Sequence, residues 1–432
     1  MRSKSAAVLR SIDLPIVSPS RAQPYAVVIG LDCITGLQTA RILAGRSVPV
    51  VGIARDLDHF CSRTRVCERI IRADTSSEAL VERLEELGRR LDHKAVLYPC
   101  TDASVLVLSR HRARLAEMFH LALPEHEVVE RLIDKISFYT YANERGLSIP
   151  KTVFLRSRAD AESAATALTY PCVLKPPVKT AAWEKQAEAK VYKVSSSAEL
   201  LALYDRVSSF ADLLLVQEWV EGGEDCLFSC NCYFDSHSRP LVTFVARKLR
   251  QWPPETGTSS LGEECRNDVV LDETIQLFEG VGFRGLGYVE LKRDRRTGCH
   301  FIIEPNIGRP TGRSAIAEAG GVELLFAMYC DLTGRPLPRN LEQRYTGVKW
   351  IYWRADLQAA VIRWRRGELT LGQWWSSICG RKQDAVFSWT DPLPFLLDFA
   401  HVPGLLVRYL LKGYRTSAAS AANELPVMSE RR

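Results

Sequence analysis

The stretch GYVELKRDRRTGCHFIIEPN, residues 287–306, reads as two extended runs, Gly287–Lys292 and His300–Glu304, joined by a charged turn whose Thr297-Gly298 pair is a hairpin signal. Side chains alternate along a strand, so Glu304 and Asn306, two positions apart, point to one face. Glu290 lies on the partner strand, and the hairpin lets its carboxylate approach the other two from across the pair. Three oxygen-bearing side chains converging in this way suit a hard cation such as Mg²⁺, which keeps phosphate and water in its remaining positions. Glu290 by itself would read more plainly as a solvated strand acid. An acid followed by Pro and Asn directly after Phe301-Ile302-Ile303 is nevertheless a poor surface pattern.

Upstream of this hairpin the pattern is α+β. A helix from Glu127 stops at Gly146 ahead of Pro150, and strand-like runs follow at Thr152–Leu155, Cys172–Leu174, Leu213–Gln217, Cys226–Phe234 and Leu241–Ala246, with a helix at Ser197–Ser208. Lys175 ends an apolar run between prolines 171, 176 and 177, a compact charge suited to phosphate oxygens; taken alone it is an ordinary surface lysine. In LLLVQEWVEGGED a strand closes with Gln217, Glu218, Trp219 and Val220 before a Gly-Gly turn and Glu224. Main-chain groups there could pair with an adenine edge and the carboxylate with ribose hydroxyls; the plainer version is a hairpin corner with a core tryptophan. Further upstream still, Tyr25–Gly30, a helix at Thr35–Ala44, Pro49–Ile53, a helix at Ser77–Leu91, Ala95–Tyr98 and a helix around Ala103–Phe119 alternate as in a parallel sheet. Gly30 and Gly36 lack the middle glycine of a dinucleotide fingerprint, so this turn reads as structural.

Composition narrows the field. The chain has 432 residues, 46% apolar and 25% charged, which excludes collagen-like, low-complexity and disulfide-stapled classes and leaves room for two or three domains. Twelve cysteines without a CxxC pair, and an amino terminus without an apolar leader segment, give the expectation of a reducing cytoplasm. Eight histidines without HxxxH or HxH spacing argue against a zinc site. The net charge is a modest +6, so no nucleic acid is expected as a partner.

The order Asp134-Lys135, PCVLKP, VQEWVEGGED, GYVELK, IIEPNIGRPTGRS resembles the ATP-grasp superfamily, in particular its carboxylate-amine ligase branch with D-aspartate-ligase-like and carbamoyl-phosphate-synthase-like members. The resemblance runs from about Tyr25 to Leu337. It implies an α/β parallel-sheet domain of the pre-ATP-grasp, Rossmann-like kind (25–125), a two-lobed α+β ATP-grasp domain (126–337), and then a mainly helical, basic, Trp-rich region (338–415), with tails at 1–24 and 416–432. It implies further that Lys135 and Lys175 hold ATP phosphates, that Gln217, Glu218 and Val220 line the adenine hinge, and that Glu224 takes the ribose. Glu290, Glu304 and Asn306 would hold Mg²⁺ or Mn²⁺. Arg309 would face the transferring phosphoryl or a substrate carboxylate, and Lys248 and Arg250, with Arg247, would contact phosphate or substrate.

The activity so implied activates a carboxylate as an acyl phosphate and joins it to an amine, with small-molecule carboxylate and amine as substrates. Rival readings stop at a carboxyphosphate or phosphorylated small molecule, or at a weakly catalytic nucleotide-binding scaffold. The scaffold gains from a departure: residues 176–190 (PPVKTAAWEKQAEAK) carry no glycine where the family places a glycine-rich flap, so Lys179, Lys185 or Lys190 would have to serve. A second departure is NIGRP, which moves Arg309 by one residue. From Leu341 onward thirteen Lys/Arg face eight Asp/Glu, and six of the nine tryptophans fall there. That region reads as an accessory module packed on the core, with peripheral membrane contact at the cytoplasmic face as the second reading. A homodimer stays open.

Overall fold

The structure, a computed structural model, describes residues 23–400 apart from 178–180, 188–190 and 256. Both sequence-expected tails, and Lys179 and Lys190 of the flap, therefore lie wholly or mostly outside the described residues.

The first unit is a five-stranded sheet of β1 (Ala26–Ile29), β2 (Val50–Ala54), β3 (Arg69–Arg72), β4 (Ala95–Pro99) and β5 (Phe119–His120), all parallel, in the order β3-β2-β1-β4-β5. Helices α1 (Ile34–Gly45), α2 (Ala79–Gly88), α3 (Asp102–Arg110) and α4 (Arg112–Leu115) connect them. The continuous apolar runs AVVI and VVGIA are buried throughout, as a sheet covered on both faces requires. The β1–α1 turn is tight: a Cβ on Gly36 would stand 2.2 Å from the Gly30 carbonyl oxygen, so this glycine serves packing. The sequence suggests one helix over 103–119; the chain instead breaks at His111 and ends in strand β5. β3 escapes the sequence reading because its two isoleucines are hemmed in by arginines on a partly exposed edge.

The expected helix from Glu127 is likewise two helices, α5 (His126–Ile133) and α6 (Lys135–Glu144). Asp134 leaves the helical region (φ −76°, ψ 121°) and accepts from the Ser137 amide at 2.8 Å, so an N-cap displaces a helical residue. Lys135 thereby opens a new helix. The smaller lobe follows: an antiparallel sheet β6-β9-β7-β8 of β6 (Thr152–Leu155), β7 (Cys172–Lys175), β8 (Tyr192–Val194) and β9 (Leu214–Glu218), with α7 (Arg158–Ala167), α8 (Ala181–Gln186) and α9 (Ser197–Val207). Its core, built on Leu155, Leu174, Trp183, Leu200 and Val216, is its own. Trp183 comes from the glycine-free segment, where α8 replaces a glycine loop.

The larger lobe is a seven-stranded sheet ordered β14-β13-β10-β11-β12-β15-β16. It holds β10 (Leu227–Phe234), β11 (Pro240–Trp252), β12 (Thr258–Glu264), β13 (Gly285–Arg293), β14 (His300–Ile307), β15 (Lys349–Ile351) and β16 (Lys382–Asp384). Helices α10 (Asp268–Gly280), α11 (Ala315–Ala319) and α12 (Leu324–Leu332) pack on it. β11 runs well past the expected Ala246, because Arg247, Lys248 and Arg250 are strand residues, and β12 was not anticipated. Two hydrophobic clusters join this sheet to the parallel one: Val27, Ile53 and Leu97 pack with Cys230, Phe278 and Val289, while Val28 and Tyr98 pack with Phe244 and Leu286.

The carboxyl-terminal region contributes α13 (Trp353–Arg365), α14 (Leu371–Ile378) and α15 (Leu393–Phe399), and is helical as expected. It is also woven into the sheet, since β15 pairs antiparallel with β12. One buried pair fastens it. Arg250 on β11 donates Nε and Nη2 to the two oxygens of Asp356 on α13 (2.8 and 3.1 Å), and Trp374 Nε1 donates to the same carboxylate. Replacing Asp356 by Ala leaves that guanidinium buried and uncompensated. The variant is expected to lose about 3–5 kcal/mol of stability, read from urea unfolding of the whole chain.

Candidate active site

The β13–β14 hairpin sets the site. Its register places Glu290 opposite Glu304 and Tyr288 opposite Asn306, with a bulge just after Glu290. Ser229 on β10 stands beside Glu290, and this small residue leaves room for Lys248 to reach over from β11. Lys248 Nζ lies 3.0 Å from both carboxylate oxygens of Glu290. Burial would raise the Glu290 carboxyl, but Lys248, Arg313 and Arg309 outweigh it and hold the group below its ordinary range.

Arg309 is held on three sides. It donates Nε to Asp102 at 2.5 Å, Nη1 to the Tyr288 hydroxyl at 3.0 Å and Nη2 to Asn306 Oδ1 at 2.6 Å. Burial would lower its pKa, yet Tyr288 and Asp102 hold it above the usual arginine range. Asp102 is the first residue of α3, after the Thr101–Ser104 capping box, so the parallel-sheet domain reaches the site. Arg313 is buried with Nη2 on Ser229 Oγ at 2.9 Å; burial holds it below the usual arginine range, and Glu290 is the counter-charge that offsets this most. The repeated arginine in GRPTGRS was the signal available for it.

From the other side come two lysines. Burial pushes the Lys175 ammonium down to about 8, Lys135 adds to the fall, and Glu304 partly offsets it. Tyr139 of α6 donates to the Ile303 carbonyl at 3.0 Å, tying that helix to β14 behind Glu304. Lys175 thus stands within electrostatic reach of both Lys135 and Glu304, and Glu304 lies opposite Glu290 in the hairpin that also carries Asn306, with Lys248 and Arg309 around it.

Other expected residues are placed differently. Arg250 leaves the group, because Asp356 and Ser377 occupy its guanidinium. The Gln217 amide donates to Thr152 Oγ1 at 2.7 Å and its side chain also hydrogen-bonds Tyr139 of α6, while Glu218 Oε1 accepts from the Thr169 amide at 2.9 Å, so both side chains already have protein partners. What remains for a ligand there is main chain, and the Val220 amide has no hydrogen-bond partner among the described residues. Trp219 is no core residue: Lys193 and Lys292 each lie 4.5 Å from its ring centroid. Glu224 is buried, accepting from the amides of Gln251 (2.9 Å) and Glu255 (2.8 Å) and from Arg363 of α13 (2.9 Å).

The donor set fits a divalent cation in part: Glu304 carries the available carboxylate, while both Glu290 oxygens pair with Lys248 and Asn306 Oδ1 accepts from Arg309. Among the described residues the Glu304 side chain makes no hydrogen bond or ion pair and the buried Asn306 Nδ2 has no partner. An empty hard carboxylate and an orphaned amide donor side by side match a cation with phosphate oxygens around it.

A parallel-sheet domain is thus followed by two lobes that bring lysines and carboxylates together. The chain has the ATP-grasp fold, and its sequence relatives are carboxylate-amine ligases. N5-carboxyaminoimidazole synthetase from Staphylococcus aureus complexed with ADP superposes with a TM-score of 0.58 at 14% identity, covering 74% of this chain and 80% of that one. In sequence, D-aspartate ligase from Enterococcus faecium is 22% identical over 231 residues, 51% of this chain and 54% of the relative. D-alanine--D-alanine ligase from Pseudomonas fluorescens is 32% identical over 181 residues, 40% of this chain and 53% of the relative. The matches thus span about half the length of these curated relatives. No protein-family model matches the chain.

With its pKa pushed down to about 8, Lys175 loses its charge as pH rises through that value while ordinary lysines keep theirs to about 10.4. Lysine side-chain NMR, with the signal identified by its loss in Lys175→Arg, should show one ammonium titrating near pH 8; titration with the bulk would refute the assignment.

Proposed function

We propose that the protein is an ATP- and Mg²⁺-dependent (or Mn²⁺-dependent) ligase that activates a small carboxylate as its acyl phosphate and joins it to an amine. The observation that carries this is the meeting of Lys135 and Lys175 with the Glu290–Glu304 hairpin, under Lys248, Arg309 and Arg313. In this reading the two lysines hold ATP phosphates, the main chain at 218–220 receives adenine, and Glu224 faces the ribose. Glu304 would hold the divalent ion, with Glu290 and Asn306 joining it once Lys248 and Arg309 turn to phosphate oxygens, and its chemistry is to neutralise phosphoryl charge as it develops.

The residues then do electrostatic and positional work. A carboxylate oxygen attacking the γ-phosphorus brings two anions together, which Arg309, Lys248 and Arg313 offset; the bond to the bridging oxygen breaks and ADP leaves. The amine nitrogen attacks the acyl carbon, phosphate departs, and the nitrogen loses a proton. Asp102, Tyr288 and Asn306 fix Arg309 before substrate arrives, so little reorganisation accompanies the step. Closure of the smaller lobe keeps water from the acyl phosphate.

Hydroxylamine should trap a hydroxamate from wild-type protein given ATP and the right carboxylate, with competition by the acceptor amine. Glu304→Gln is expected to lower turnover at least about 100-fold while thermal unfolding is unchanged, a loss in line with removal of one charge-stabilising group. A phosphorylated product without hydroxamate would favour the rival chemistry, and tight nucleotide binding without turnover the scaffold.

A second part of the reading concerns the carboxyl-terminal region. Trp364, Leu371, Trp375, Leu393 and Leu396 are exposed there and Trp389 is 87% exposed. Its acids mostly turn inward, Asp391 to Arg41 and Thr64, Asp398 to Arg354, whereas Arg365, Arg381 and Lys382 face solvent. No helix among the described residues is long and apolar enough to cross a membrane. Outward indoles, leucines and cations suit peripheral contact with anionic headgroups. Co-sedimentation with phosphatidylglycerol-containing vesicles should exceed that with pure phosphatidylcholine, and Trp389→Ser with Leu396→Ser should reduce it about tenfold. Equal recovery with both vesicle types would refute the contact.

A further inference from the structure

We infer that the carboxyl-terminal helix α13 and the nucleotide ribose compete for the Glu224 carboxylate, so that this helix regulates nucleotide binding; the inference rests on the ribose role given to Glu224 above. Three donors converge on that carboxylate. Gln251 N–H donates to Oε2 at 2.9 Å, Glu255 N–H to Oε1 at 2.8 Å, and the Arg363 guanidinium pairs with Oε1 at 2.9 Å. The carboxylate side chain is 4% exposed. A sugar hydroxyl can reach it only if a donor withdraws.

The two amides are main-chain donors and move only with the backbone. They belong to the end of β11 and the turn after it, where the Gln251 side chain also donates to the Gly257 carbonyl at 2.5 Å. Arg363 is different: it is a long side chain on a surface helix, one-fifth exposed, and its buried Nε has no partner. It is the replaceable member. A neighbouring arginine, Arg366, makes a second link to the same corner through Glu255 at 3.2 Å. Trp364, next in sequence, is turned about 100° around the helix from Arg363 and is exposed. One helix therefore carries a solvent-facing aromatic residue and, one position away, the cation that caps the sugar-binding acid. Linkage runs both ways: whatever loosens α13 strengthens nucleotide binding, and nucleotide loosens α13.

Equilibrium binding of ATP and of 2′,3′-dideoxy-ATP to the full chain tests this. Arg363→Ala and Arg363→Gln should each bind ATP about tenfold tighter than wild type, the fold-change expected from removing one charged competitor. Their affinity for the dideoxy nucleotide should be unchanged. If wild type prefers ATP over dideoxy-ATP but neither variant gains affinity, the ribose role stands and the competition is overturned. If wild type and Glu224→Ala both bind the two nucleotides alike, the ribose role itself falls and the competition with it. Should the variants unfold, hydrogen exchange on wild type decides: ATP, and not dideoxy-ATP, should speed exchange along 353–365, and equal protection with both nucleotides overturns the inference.

Discussion

The carboxylate of Glu290 is largely, though not fully, enclosed on a sheet face, and an isolated charge withdrawn from water is among the most costly arrangements a protein can hold. Three cations make it tolerable, and their origins explain much of the fold. Lys248 needs β11 to run far beyond its first apolar segment; Arg313 needs the tight chain after β14; Arg309 needs Asp102 from another domain. The shared hydrophobic clusters between the parallel sheet and the larger lobe keep those origins in fixed relation. With Lys135 and Lys175 added, five cations face Glu290, Glu304 and Asp102, a surplus of positive charge that favours an anionic ligand.

Much of this was legible in the chain. The hairpin and its three oxygen donors follow from strand alternation and a turn signal, and the register confirms that Glu290 and Glu304 stand opposite one another. The parallel sheet was readable because its central strands are continuous apolar runs. Edge strand β3 was not, since an edge tolerates the charges that erase an apolar pattern. Helix periodicity carried across Asp134, where a local cap took precedence over propensity.

Site residues divided along a similar line. Spacing told which side chains share a strand face, and it held for the hairpin. It did not tell what each polar group had already been promised to: Arg250 to Asp356, Gln217 to Thr152, Glu218 to the Thr169 amide. Those partners lie distant in sequence, or on a helix whose packing no local pattern announces. Arg313 was overlooked for the converse reason, as its importance comes from burial beside Glu290 rather than from a motif position.

Lys135 and Lys175 belong to bodies with separate interiors: Phe138 and Tyr139 beside the first pack into the core shared with the parallel sheet, while the second ends a strand of the self-contained lobe. Burial first, and then the like charge of Lys135, depress the Lys175 ammonium, so the two bodies set an electrostatic repulsion face to face that an anion seated between the lysines would relieve.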